Sequence, residues 1–454
     1  MRVDGRASID APGPAGARRP PWARLAAGGR LPAGGRLPAI VAAGVGVTVL
    51  AGVVVRSMGD RLGTNLAPFM AGIDVQATLL APFVVVVFGL AAALAPRLVE
   101  PRLAPPAFAG ASLGLSLVLR LALAAGRGGP SQWDAVFGTS AEARHEYLPA
   151  LPALRVGVDA FLRRFAQIAP TLPTHPSGHL PGMLLTLHVL GITTPAGMAV
   201  LTIGVGAVAV PLTYALGREL LDDRRARIAT LLVGFSPTVL IVGVSSADAL
   251  YATLALAAVC ALLAARPAVR ALGPPLLAVA SFFSPALLAI GLWAFVVRVV
   301  RGERAAAARL AIGCAVGVVA FYVVLRVVTG FDLIATVRAI DGDYRRGVAT
   351  VRPYPYWVFG SPAAFLVALG IPIAWLAVRA LGRGDPSAAG LAAVIVISSV
   401  LGYTKAETER IWVFLVPLAC IAAATELPPR RLRLVLGALA LQAVLAELLL
   451  NTVW

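Results

Sequence analysis

The chain has 454 residues, 59% hydrophobic and 13% charged, with a formal net charge of +17 at pH 7 and a mean hydropathy of +0.85. These values exclude an ordinary soluble globular domain and describe a polytopic, all-α membrane protein. The positive balance does not describe a nucleic-acid binder, because the arginines lie in short loops between apolar runs rather than along one amphipathic face.

Residues 1 to 37, rich in Pro, Gly and Arg without apolar periodicity, are expected to be a disordered basic cytoplasmic tail. The apolar run that follows has no convincing small-residue cleavage site and reads as a signal anchor. A transmembrane domain is expected over 38–454. Its apolar segments fall at about 38–57, 77–95, 108–126, 196–217, 228–244, 249–265, 272–284, 286–300, 310–328, 361–380, 388–404, 411–425 and 434–450. That gives about 13 spans, several shorter than the usual twenty residues, so thinning of the bilayer or burial in the bundle is implied.

The charges orient these spans. Arginine clusters at Arg97 and Arg102, Arg218 to Arg227, Arg266 and Arg270, Arg298 to Arg309, Arg379 and Arg383, and Arg430 to Arg433 occupy alternate loops. Those loops and the N-terminus are assigned to the cytoplasm, which leaves the C-terminus and nearly all unusual polar residues on the extracytoplasmic face. Leu180 to Ile192 would reach only about 20 Å as a helix, so it is read as a half-depth element.

The two longest outer loops are 127–180 and 329–360. In the first, Tyr147, Leu151, Leu154, Val158, Phe161, Leu162 and Phe165 recur near helical spacing, interrupted by Arg155, Arg163 and Arg164. That pattern predicts interfacial helices on a membrane surface, broken in two by Pro149 and Pro152. Farther along, Gly402 to Trp412 packs charge between two apolar runs and contains Lys405, the chain's single lysine. In a sequence that otherwise writes strong cations as arginine, a retained lysine suggests that a compact, flexible ammonium is wanted there. Cys260, Cys314 and Cys420 have no paired spacing and read as small core residues. There is no internal repeat of fixed period.

His145-Glu146-Tyr147 followed about thirty residues later by Thr174-His175-Pro176-Ser177-Gly178-His179-Leu180-Pro181-Gly182 resembles the GT-C superfamily of membrane glycosyltransferases. There the first long outer loop carries an acidic residue and ends in a Pro/Gly-rich turn. Leu216 to Ala226 looks like that superfamily's inner loop, and Phe235-Ser236-Pro237 leading to Ser245-Ser246-Ala247-Asp248 is similar to its next outward helix. Blocks around Gly330-Phe331-Asp332, Arg352-Pro353-Tyr354, Trp357 to Gly360 and Glu409 to Trp412 resemble GT-C-like integral membrane proteins of actinobacterial type. His-Pro-Ser-Gly replaces a common second proline and the Asp-Glu pair of the protein-mannosylating branch is missing, which argues against that branch. The resemblance implies a polyprenyl-phosphate sugar donor, a glycan or lipid acceptor, contact with membrane lipids, and inversion at the anomeric carbon.

Such a transfer needs a base for the acceptor hydroxyl and cations for the phosphate leaving group. Glu146 is the first candidate base and Asp248 the second. Arg410 offers a phosphate fork and Lys405 a movable point charge. His145, Tyr147, His175, His179, Glu407 and Glu409 are supporting candidates, with Glu409 placed either to orient Arg410 or to neutralise it. Some GT-C members use a divalent metal and others none; Glu146, His175 and Asp248 could converge on one, against simple hydrogen bonding by a neutral imidazole. Arg120, within the third span, calls for an acidic partner or an interfacial position. Each residue also has a plainer reading: a solvated Glu146, an N-capping Asp248, an Arg410 snorkelling to head groups. The competing functions are a carrier for a lipid or anionic solute and a lipid-linked glycan ligase or polymerase.

Overall fold

The computed structural model describes residues 36–59, 61–100 and 103–452. The expected N-terminal tail therefore lies outside the described residues except for Arg36 and Leu37, which open the first helix, Arg36–Ser57.

The apolar runs fold as helices because no water is present in hydrocarbon to satisfy an open backbone. Proline stands at the first turn of many of them, where its missing N–H has no intrahelical acceptor, as in Pro105–Gly128, Pro195–Ala207, Pro237–Ser245 and Pro386–Leu401. Asp222, Asp332 and Asp385 cap helix starts by accepting from the backbone N–H three residues on. Gly330 and Gly402 end helices in the left-handed conformation, which costs little without a Cβ.

The result is an all-α bundle apart from one antiparallel pair of short strands, Ala71–Ile73 and Leu450–Thr452, which ties the end of the chain to its first loop. Among the described residues seven helices are long and apolar enough to cross a membrane, or nine if two bent pairs each make one span. All thirteen apolar segments read in the sequence coincide with helix. Four of them, Asp248–Leu263, Pro267–Phe283, Pro285–Val300 and Pro386–Leu401, are shorter apolar helices.

Burial orders the bundle. Thr408–Glu426 lies at its centre, against Asp223–Phe235 and Ile371–Gly382, whereas Arg36–Ser57 and Arg304–Thr329 lie at its edge with Val316, Val319, Val323 and Val327 facing outward. Asp223–Phe235 and Pro237–Ser245 meet at 56°, and Tyr354–Ala368 and Ile371–Gly382 at 115°. These two breaks touch: the Ser236 hydroxyl donates to the Leu369 carbonyl at 2.7 Å, and the Gln442 amide bonds both Ile371 N–H and Val367 C=O across the second break. Backbone groups freed at the second break, Val367 C=O, Leu369 C=O and Ile371 N–H, are thereby satisfied inside the bundle.

The first long loop differs from expectation. It forms a succession of short turns, with 3₁₀ segments at Ala141–His145 and Leu148–Val156 and helices at Val158–Arg163, Phe165–Ile168 and Thr174–Ser177. Its apolar face does not lie on a membrane surface: Tyr147, Leu154, Phe161, Leu162 and Phe165 are buried in protein, with the Phe165 ring 6.2 Å from that of Phe331. Alternating apolar residues report a buried face and do not say whether lipid or protein covers it. The element expected at 180–192 is an eight-residue helix, Gly182–Val189, about 12 Å long.

Candidate functional site

The polar residues of distant segments meet at one end of the bundle, around Arg410. This arginine lies in the short turn Thr408–Ile411 that leads into the central helix. The approach to that turn is fixed on Ser361: its hydroxyl donates to Thr404 C=O and accepts from Ala406 N–H, and Thr408 Oγ1 donates to Ser361 C=O at 2.6 Å. Ala406 and Glu407 both take left-handed backbone conformations, with φ of 65° and 59°. Two successive non-glycine residues in that region are held against an intrinsic cost of about 1–2 kcal/mol each, which only a tightly over-determined segment sustains.

That geometry turns Glu407 inward, where it bridges two guanidinium groups. Its Oε2 accepts from Arg410 at 2.7 Å and its Oε1 from Arg352 at 2.6 Å. Burial alone would raise the Glu407 carboxyl, but the charges of Arg410 and Arg352 and the Arg352 hydrogen bond outweigh it and hold the group at about 2. Arg352 also donates to Lys405 C=O at 2.8 Å. The other edge of Arg410 meets Asp248, at the start of Asp248–Leu263, at 2.8 Å, and Asp248 in turn accepts from the Ser246 hydroxyl. Arg410 and Asp248 are both about 5% exposed, so this is a buried ion pair, braced by Glu407 on the arginine side and by Ser246 on the aspartate side.

The first loop closes the opposite wall. His175 places Nδ1 at 3.4 Å from Arg410 Nη2, while its Nε2 lies 2.7 Å from Glu142 and 3.7 Å from Glu146. Glu146 is 2% exposed and its Oε2 has no hydrogen-bond partner. Burial raises its carboxyl, and the opposing pull of His175 and Arg410 leaves it at about 7. A carboxyl so poised exchanges its proton near neutrality. Behind it Tyr147 and Tyr251 join hydroxyls at 2.7 Å, and the His179 ring lies 5.4 Å from that of Tyr251. Burial drives His179 down to about 4, which leaves a neutral imidazole at pH 7. Tyr251→Phe deletes one hydroxyl and strands the other in the core, so it is expected to cost about 1–2 kcal/mol, read as a lower unfolding midpoint in denaturant.

The structure thus brings together Glu146, Asp248, Arg410, His175 and Glu407, with Tyr147 and His179 behind them. His145 lies beside this wall, bonded to Thr174 at 2.9 Å. Lys405 contributes its backbone: its ammonium points away, 3.4 Å from Ala349 C=O and 5.8 Å from the centre of the Tyr344 ring. Burial and the nearby charges of Arg345 and Arg352 lower its pKa. Glu409 turns to the loop between the first two helices, accepting from Met70 N–H at 2.6 Å, and Glu407 is the carboxylate hydrogen-bonded to Arg410. The sequence did not single out Arg352, Glu142, Ser246 or Tyr251 as members of this cluster. Arg352 carried a signal, as a basic residue on the side assigned to acidic and polar loops.

Among the described residues no group of three or more His, Cys, Asp or Glu side chains is arranged to hold a metal ion. Asp248 and Glu407 are occupied by guanidinium groups, and His175 faces Arg410 through one nitrogen and Glu142 through the other, so this donor set does not fit a divalent cation. No family model, curated protein or solved structure matches the chain.

Proposed function

We propose that this chain is a GT-C-type glycosyltransferase that moves a sugar from a polyprenyl-phosphate carrier to an acceptor hydroxyl on the outer face of the membrane. The observation that carries the reading is Glu146: a buried carboxyl poised near 7, with one oxygen lacking a partner, on the wall opposite the Arg410–Glu407–Arg352 bridge. In this reading Glu146 Oε2 takes the acceptor hydroxyl proton as the oxygen attacks the anomeric carbon. The bond from that carbon to the phosphate oxygen breaks, and the electron pair leaves with polyprenyl phosphate. Arg410 and Arg352 supply the positive field for that leaving group, and Lys405 swings from its carbonyl contact to join them. Asp248, already committed to Arg410 and Ser246, positions the guanidinium and leaves Glu146 as the base.

The same reading takes the four shorter apolar helices as spans, which gives about 13 with the N-terminus cytoplasmic and the site and C-terminus outside. Alternation of the arginine-rich loops supports that orientation. The test is release of polyprenyl phosphate from a panel of radiolabelled polyprenyl-phosphate sugars by the purified chain with candidate glycan and lipid acceptors. Turnover supports the transferase; saturable binding without bond cleavage across the panel supports a carrier.

A further inference from the structure

The interfacial pattern that the sequence placed in the first long loop is carried instead by a helix of the second, Leu333–Arg346. This helix turns off the edge helix Arg304–Thr329 through the left-handed Gly330, and Asp332 caps its start while accepting from Arg326 at 2.9 Å. About 20 Å farther on, its last turn sets the Tyr344 ring 5.8 Å from the Lys405 ammonium, just beyond the end of Pro386–Leu401. Both of those apolar helices pack on Ala289–Val300. Leu333–Arg346 therefore runs from the end of one to the end of the other, across their axes, at the level where apolar helix ends meet lipid head groups.

One side of the helix is covered by protein: Thr336 is buried, and the contacts are with Phe165–Ile168 and Ala169–Thr171. The outward side is divided. Ile334 and Val337, one turn apart, are exposed, as are Val327 and Val328 at the end of the edge helix. Beside them Arg338, Arg345 and Arg346 are exposed as well. Arg345 is held by Asp341 at 2.8 Å and Arg326 by Asp332, whereas Arg338 and Arg346 form no ion pair among the described residues. An aliphatic strip bordered by uncompensated guanidinium groups suits a helix seated at a bilayer surface.

We propose that Leu333–Arg346 is a membrane-surface helix that binds anionic phospholipid head groups, with Ile334 and Val337 entering the acyl boundary and Arg338 and Arg346 holding lipid phosphates. The two strips together select this occupant. A soluble acidic partner would match the arginines but gives no reason for aliphatic side chains next to the exposed end of an apolar helix. A zwitterionic surface would cover those side chains but offers no net charge to the two arginines, each of which gains about fivefold in affinity beside anionic lipid.

The test places a thiol-directed fluorophore at Val337→Cys in nanodiscs and reads its quenching by phosphatidylglycerol or phosphatidylcholine brominated on the acyl chains, each diluted in the other lipid without bromine, with the signal of the labelled parent chain subtracted. Quenching is expected from both lipids, with phosphatidylglycerol favoured about fivefold for each arginine engaged. Arg338→Gln with Arg346→Gln abolishes the preference and leaves the quenching, because the aliphatic strip still holds the helix at the acyl boundary. A label at Val319→Cys, on the outward face of the edge helix, is quenched equally in both backgrounds and so reports that the variants assemble. Absence of lipid quenching at Val337→Cys, equal quenching by the two lipids with both arginines present, or a preference that survives their loss overturns the proposal. Protection of the label by soluble polyglutamate in place of lipid quenching overturns it in favour of an acidic protein partner.

Discussion

In the proposed transferase reaction Glu146→Gln lowers turnover by about 10²–10⁴-fold, the range lost with a general base, and independently of that reading the folded protein becomes more stable at alkaline pH. The two effects have one origin. Burial raises the Glu146 carboxyl from 4.5 to about 7. Ionising it in the folded state is therefore harder than in the unfolded chain, and the penalty grows as pH rises from about 4.5 to 7. Above 7 it is complete, at about 3 kcal/mol for a shift of this size. Glutamine never ionises, so the variant lacks the penalty at pH 8 and matches the wild type near pH 4. Activity runs the other way. In the transferase reading the base acts in its ionised form, so wild-type kcat/KM is expected to fall about tenfold per pH unit below 7. Turnover against pH and unfolding midpoint against pH, measured on both proteins, check the pair. Full activity in the variant would remove Glu146 from the chemistry, and a stability gain independent of pH would remove its raised carboxyl.

Arg410→Met destabilises the fold by about 3–5 kcal/mol, since it leaves Asp248 as a buried carboxylate with only the Ser246 hydroxyl beside it, and in the transferase reading it also abolishes turnover. Glu407 keeps Arg352 and suffers less. Adding Asp248→Asn to Arg410→Met removes the stranded charge and restores about 1–3 kcal/mol, without restoring activity. Unfolding midpoints of the two single variants and the double variant in nanodiscs give the coupling directly; additive losses would show that Asp248 and Arg410 do not act as a pair. Lys405→Met is the contrast. Its ammonium is partly exposed and has only a 3.4 Å carbonyl contact and one aromatic ring, so the loss stays below about 1 kcal/mol. In the transferase reading its effect appears in turnover.

The Glu407–Arg410 pair was legible in principle, because residues three apart face each other on one helical turn. The sequence drew attention to Glu409 as Arg410's neighbour instead. The left-handed backbone at Ala406 and Glu407 decides between them, and neither residue type announces that conformation. Asp248 and Arg410 stood out as charges beside apolar runs, but nothing local states that side chains 162 positions apart share a hydrogen bond. The loop 127–180 shows the same limit: its apolar spacing marked Phe161 and Phe165 as a covered face and was read as lying on lipid, whereas protein, including Phe331 beside Phe165, covers it.

Composition and spacing by themselves determined that this chain is a bundle of apolar helices, because hydrocarbon tolerates no unsatisfied backbone and long apolar runs have no other stable solution. They also marked which charges lie at helix ends. Only the tertiary structure decided which of those charges meet. It joined Arg410 to Asp248 and Glu407, held Lys405 aside, and left Arg120 buried without an acidic partner among the described residues. Pairing across the bundle depends on helix register and on two backbone breaks braced against each other through Ser236 and Leu369, and those are properties of packing that no single segment encodes.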